Sequence, residues 1–268
     1  MKPLVSIIAN VHILPRNVLG RFSKYCHRTA ITAYIAWISC TPFCRATSAV
    51  AIVDRDAIIV GTDSLWRWSD GSTALGCKIY IERNNCTYII VGLRAKPETN
   101  FDPARFASRA CETVPSIRES AMAFGNDIRS ELKRSLRYSR LHDSVVYKRD
   151  YRGKPVLEVM FMGFEANRPI VAAKSFELDN KDRLHERVTY VPDASGGNIA
   201  LSGEHEAANA FVNSHTTWPT SDYSGLVRTL IEAEIKDKPD HVGGPIDVLI
   251  IKRTGHRWVP PRGTCDNR

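Results

Sequence analysis

Long apolar stretches are missing from this 268-residue chain. The most apolar run, residues 29–43, is broken by Pro42, and it falls short of the roughly 20 residues a membrane-spanning helix needs. The patterns of phosphate and metal sites are missing too. Gly196-Gly197 and Gly243-Gly244 lack the Lys-Ser/Thr of a phosphate-binding loop and read as turns. His205-Glu206-Ala207-Ala208-Asn209 stops one ligand short of the zinc-protease pattern H-E-x-x-H, so His205 reads as the start of a helix. The cysteine spacings match no zinc pattern. No metal or cofactor is expected. Acidic residues are absent from residues 1–46, which hold Lys2, Arg16, Arg21, Lys24, Arg28 and Arg45. That segment carries most of the net charge of +8 and leaves the rest of the chain close to neutral. With no basic stripe interleaved with aromatics on the body, nucleic-acid binding is not expected.

What is present is ordinary globular composition, 43% hydrophobic and 25% charged, enough to bury a substantial core. Arg21, Lys24 and Arg28 precede the apolar run, and Cys44-Arg45-Ala46 offers small residues where a signal peptidase inspects. That order is the three-part order of a secretory leader. It suggests residues 1–46 as a signal peptide and a periplasmic or secreted protein without stable membrane anchoring. A propeptide on a cytoplasmic protein is the alternative. No Met falls between Met1 and Met122, and the leader is long, which suggests an over-extended start. Cys77, Cys86, Cys111 and Cys265 would remain; they allow three pairings, and buried free thiols are an equal reading.

The chain is organised around residues 45–64. Apolar residues 49–53, the turn Asp54-Arg55-Asp56 and apolar residues 57–60 form a hairpin signal. Residues 64–72 read as loop, with Asp70-Gly71 as a turn, and residues 78–83 and 87–92 as two strands about Asn84-Asn85. Asp102 then caps a helix over 103–113, with Pro103 first. From Ser116 a second helix follows, with Ile117, Ala121, Phe124, Ile128 and Leu132 as its apolar stripe and the 129–140 charge run as its solvated face. Strands are expected at 156–162, 169–176, 187–191 and 198–201, and helices at 205–213 and from a Ser221 cap with Leu226, Val227, Leu230 and Ile231 inside. Residues 246–251 and 257–259 close a single domain over 47–259, and 260–268 read as a loose tail. Runs of strands separated by helix pairs suggest stacked sheets with helices outside, an α+β fold.

These elements together resemble the proteasome β-subunit family of N-terminal-nucleophile hydrolases. The resemblance rests on Thr47-Ser48 heading a strand, Ile58-Ile59-Val60-Gly61-Thr62-Asp63-Ser64, Lys78-Ile79-Tyr80-Ile81, and Val91-Gly92. Thr47 to Asp63 spans sixteen residues and Lys78 to Gly92 fourteen, as the family has it, with the intervening loop one residue shorter. The resemblance implies a four-layer αββα sandwich and a threonine-type peptidase or amidohydrolase. Its catalytic residues would be Thr47, Asp63, Lys78 and Gly92, with Ser202 behind them. The substrate would be a peptide or small amide, and a homo-oligomer is possible. The later motif departs: Val242 stands in the Ser place and Pro239 in the Asp place, with Asp240 one residue out of register. A non-catalytic member acting in binding or assembly is the rival.

The chemistry follows from the residue types. A Thr hydroxyl needs a base in hydrogen-bond reach. A cut before Thr47 would supply one, its own α-amino group, with an ordinary pKa of about 8. Lys78 would favour the alkoxide, Asp63 would hold Lys78 charged, and the Gly92 amide would donate to the oxyanion. Singly, each residue has a plainer role: a strand start, a strand exit, a solvated terminus, a close backbone approach. Trp66, Trp68 and Tyr80 could line a cleft, although loop packing explains them as well.

Overall fold

A computed structural model describes residues 47–67, 72–82, 85–93, 96–192, 198–215, 222–261 and 263–265. The expectations for residues 1–46, Asp70-Gly71, Asn84, Trp68, Gly196-Gly197 and Ser221 lie outside the described residues.

The first half of the chain forms β1 (Ser48–Val53), β2 (Ala57–Asp63), β3 (Leu65–Arg67), β4 (Thr73–Leu75), β5 (Ile79–Ile81) and β6 (Thr87–Gly92). The α-helices α1 (Pro103–Thr113), α2 (Ile117–His142) and the short α3 (Ser144–Val146) follow, α3 running on into a π-helical turn at Tyr147–Tyr151. The second half adds β7 (Lys154–Glu165), β8 (Arg168–Leu178), β9 (Leu184–Val191), β10 (Ile199–Gly203), α4 (Glu206–Ser214), α5 (Tyr223–Asp237), β11 (Ile246–Lys252) and β12 (Gly255–Trp258). Every ladder is antiparallel, in two five-stranded sheets ordered β10-β1-β2-β11-β12 and β5-β6-β7-β8-β9 and a small β3-β4 pair. With helices kept apart from antiparallel sheets, the fold is α+β.

Local chemistry explains most boundaries. Asp102 accepts from the Ala104 amide and Pro103 takes the first helical position of α1. Ser116 accepts from the Glu119 amide at the head of α2. The predicted stripe, Ile117, Ala121, Phe124, Ile128 and Leu132, is buried throughout. Two differences have clear causes. Asp222, one residue after the expected Ser221, caps α5 by accepting from Gly225 N. Residues 65–67, within the 64–72 stretch expected as loop, form β3 and pair with β4, because Leu65 faces Leu75 and the Trp66 indole donates to Gly76 O at 2.9 Å. Tyr80 stacks on Tyr88 instead.

The central strands β1, β2, β6, β8 and β11 are apolar almost throughout, and residues on both of their faces are buried. In β1, Ala49, Ala51 and Val53 face one cluster with Ile89, Val91, Met160 and Met162 of the other sheet. Val50 and Ile52 face a second cluster with Val212, Val227, Leu230 and Ile231 of α4 and α5. On the other sheet, Tyr88 and Ile90 meet Ala107, Phe124, Ile128 and Leu132 of α1 and α2. Lys78 and Asp63 lie where the inner faces of the two sheets end.

Among the described residues the four cysteines are paired, Cys77 with Cys265 and Cys86 with Cys111, so the reading of these four as buried free thiols does not hold. Residues 263–265, expected as part of a loose tail, are held instead. The amides of Gly263, Thr264 and Cys265 donate to the buried Asp247 carboxylate, and Cys265 is buried. Among the described residues no helix is long and apolar enough to cross a membrane.

Candidate active site

Asp63 is the last residue of β2 and completely buried, with five donated bonds converging on its carboxylate. Oδ1 accepts from Ser48 N at 2.8 Å and Lys78 Nζ at 2.9 Å; Oδ2 accepts from Lys78 Nζ at 2.9 Å, Leu65 N at 3.2 Å and Gly243 N at 3.3 Å. The hairpin produces this directly. Ala49 pairs with Thr62, so the next residue outward on each strand brings the Ser48 amide over Asp63. Burial pushes the Asp63 carboxyl above its ordinary range; the Lys78 ammonium, then the Ser48 and Gly243 amides, pull it back.

Lys78 is 1% exposed, just before β5, and its ammonium reaches both Asp63 oxygens. A buried ammonium on its own is costly, so this pairing is what lets it stay charged there. The expectation of a solvated strand end is not met.

Thr47 is 3% exposed and immediately precedes β1. Its carbonyl accepts from Glu204 N at 3.0 Å, across from Gly203, which pairs with Ser48. Gly203 has φ +79°, and a Cβ there would lie 2.0 Å from Thr47 O and 2.9 Å from Val91 Cγ1. Thr47 and Val91, one from each sheet, therefore approach within 3 Å of one point. Only a glycine allows it.

Ser202 lies opposite Ala49, and Ala49 is flanked on its other side by Thr62. The hydroxyls of Ser48, Thr62 and Ser202 are buried without a hydrogen-bond partner among the described residues. Gly92 ends β6 with φ +97°, and a Cβ there would lie 2.6 Å from Val156 O. Its neighbour Val91 touches the Thr47–Gly203 contact, so Gly92 sits beside the same junction.

Three contributors were not anticipated. Gly243 donates to Asp63, and its carbonyl accepts from Ser64 N and Leu65 N. Asp247 is fully buried and accepts from the Ser64 hydroxyl at 2.8 Å. Cys77 binds Cys265 directly beside Lys78. A single acid inside the apolar run 246–251 was the available signal, since buried carboxylates are rare without a purpose. Val242, in the expected Ser place, is buried, and the neighbouring Gly243 amide is what reaches Asp63. His205 begins α4 and its Nδ1 lies 2.6 Å from Gly203 O.

No protein-family model and no curated protein matches the chain. Solved structures do. A Gly-1 mutant of Anbu from Hyphomicrobium sp. strain MC1 aligns at 12% identity with a TM-score of 0.51, covering 82% of this chain and 88% of that one. Anbu (ancestral beta-subunit) from Yersinia bercovieri aligns at 13% identity with the same TM-score and coverage. The likeness is one of fold alone. It corrects the reading of the chain as a proteasome β-subunit relative: what stands is a distant similarity to Anbu, with no family match beneath it. The motifs behind that reading occupy the first fifty residues after Thr47, and the later ones depart at Pro239 and Val242.

Proposed function

We propose that the chain is an N-terminal-nucleophile amidohydrolase acting through Thr47 once the 46–47 peptide bond is cut. The observation that carries this reading is the buried Lys78–Asp63 pair fastened to the amide next to Thr47. The freed α-amino group takes the proton from the Thr47 hydroxyl, which attacks a peptide or small amide carbonyl; the C–N bond then breaks, the α-ammonium returns that proton to the leaving amine, and an acyl-enzyme remains. The ammonium of Lys78 stabilises the developing alkoxide, and Asp63 keeps that ammonium charged and aimed. The Gly92 amide donates to the oxyanion. Ser202 and Ser48 offer buried hydroxyls to the freed amine or the substrate. Water then releases the product acid and restores the hydroxyl.

The three apolar clusters support a four-layer αββα order beneath this site. Two disulfides favour an oxidising compartment, in keeping with residues 1–46 as an export leader. A homo-oligomer fits a fold shared with a protein described as a beta-subunit, and light scattering of the purified chain measures it.

N-terminal sequencing of the native protein, followed by incubation with a β-lactone acylating probe, tests the reading. A mature chain starting at Thr47 and acylated there agrees with it. A native chain retaining Ala46 sinks it and leaves the non-catalytic alternative, which the buried Val242 favours. A Thr47→Ala variant separates the origins of the cut: self-processing stops, whereas signal-peptidase trimming continues.

A further inference from the structure

The segments that carry Asp63 and Lys78 share a second attachment, far along the chain. Cys77, next to Lys78, is covalently bound to Cys265 across 188 residues. Ser64, next to Asp63, donates to Asp247 Oδ2 at 2.8 Å and accepts from the Thr264 hydroxyl at 3.2 Å. Thr264 returns to Asp247 through its own hydroxyl at 3.0 Å. The amides of Gly263, Thr264 and Cys265 all end on the same carboxylate, at 2.8, 3.1 and 3.2 Å. The two segments are also joined to each other, Gly76 N donating to Ser64 O at 3.0 Å. A buried carboxylate with this many donors is a rigid anchor for residues 263–265.

We propose that residues 263–265 are a strap that positions the Lys78–Asp63 pair, gripping one side through Cys265–Cys77 and the other through Thr264 and Asp247. This rests on the Thr47 reading for its catalytic consequence, though not for its mechanical one. Lys78 Nζ must stay within 3 Å of both Asp63 oxygens; Asp63 ends the seven-residue β2, but Lys78 stands just before β5 and Ser64 just before β3, each only three residues long and too short to fix its own end. The strap supplies that fixation from outside the local sequence. Cys77, Cys265, Thr264 and Asp247 are thus positioning residues, not catalytic ones.

The test uses the full chain as wild type, as Cys77→Ser/Cys265→Ser, as Thr264→Val, and as Cys86→Ser/Cys111→Ser. The last removes the other disulfide, on the α1 side. Hydrogen exchange is read at the amides of Ser64, Leu65 and Gly76, and β-lactone acylation of Thr47 is followed in parallel. Loss of Cys77–Cys265 is expected to speed exchange at those three amides about tenfold, and Thr264→Val about threefold, with the α2 core unchanged. The maximal acylation rate should fall by a similar factor at unchanged half-saturation, while the Cys86–Cys111 variant leaves both readouts alone. Unchanged exchange in the first two variants overturns the strap. So does an equal response in the Cys86–Cys111 variant, which would mean only general loosening. If the wild type is not acylated while the exchange pattern appears, the strap stands and the Thr47 reading fails.

Discussion

Two buried lysines among the described residues each meet a carboxylate, and the surroundings set them apart. Lys78 and Asp63 are 1% and 0% exposed, and three backbone amides from separate segments close on the same carboxylate. Lys174, in β8, runs its side chain against Gly125 of α2 and meets Glu186 at 2.8 Å. Glu186 is partly open to solvent and is shared with Arg129. Burial dominates at Asp63 and raises its carboxyl. At Glu186 burial pushes up as well, but the bonds from Arg129 and Lys174 outweigh it and the carboxyl lies below its ordinary range. Burial works against the charges of the first pair; the second helps to fasten a helix to a sheet. An ion pair that opposes its own burial is a candidate for function, because packing alone gives no reason for it.

The largest expected effect comes from breaking the first pair. Asp63→Ala strands the Lys78 ammonium and three amides, so we expect a loss of about 3–5 kcal/mol in chemical denaturation. Asp63→Asn keeps the size and one acceptor oxygen; it should cost much less stability yet lower Thr47 acylation by about a hundredfold or more. Equal damage from the two would erase the distinction drawn here.

Glycines next to each pair extend the contrast. Gly203→Ala puts a methyl against the Thr47 carbonyl at a left-handed φ, and should cost about 2–3 kcal/mol. Gly125→Ala meets only the flexible end of Lys174, with Cε at 2.4 Å, and should cost about 1 kcal/mol or less as that side chain shifts. Thermal unfolding of the two variants side by side gives the order.

Lys174→Met should change stability by no more than about 1 kcal/mol, since an apolar side chain of similar length fills the space and Glu186 keeps Arg129. The pH profiles should then diverge in sign. Glu186 is lowered on folding, so its contribution is present above the ordinary carboxylate range and disappears as pH falls through the folded value. Asp63 is raised, so its contribution is full below that range and is lost as pH rises through the folded value. Plotted against pH, the stability differences of Glu186→Gln and Asp63→Asn from wild type should slope in opposite directions. Parallel slopes would show that the two carboxylates share one environment.

How much of this was legible depends on distance along the chain. The α2 stripe from Ile117 to Leu132 and the caps Asp102 and Ser116 are local statements, and each element forms where its own residues direct. The hairpin was evident but its register was not: a three-residue turn at 54–56 would pair Val53 with Ala57, whereas Val53 pairs with Ile58 about a turn centred on Arg55-Asp56, and that register sets residues 48 and 63 face to face. Lys78 was recognisable through spacing, although its full burial was not.

What the sequence by itself determined is therefore the set of elements, the first hairpin and the residue types gathered at its open end. Tertiary structure alone decided which distant groups would close that end: Gly243 on Asp63, Asp247 on Ser64, and Cys265 on Cys77. The physical reason is that β11 pairs with β2 across some 180 intervening residues, and a register set by packing two sheets and their helices leaves no periodic trace in either strand.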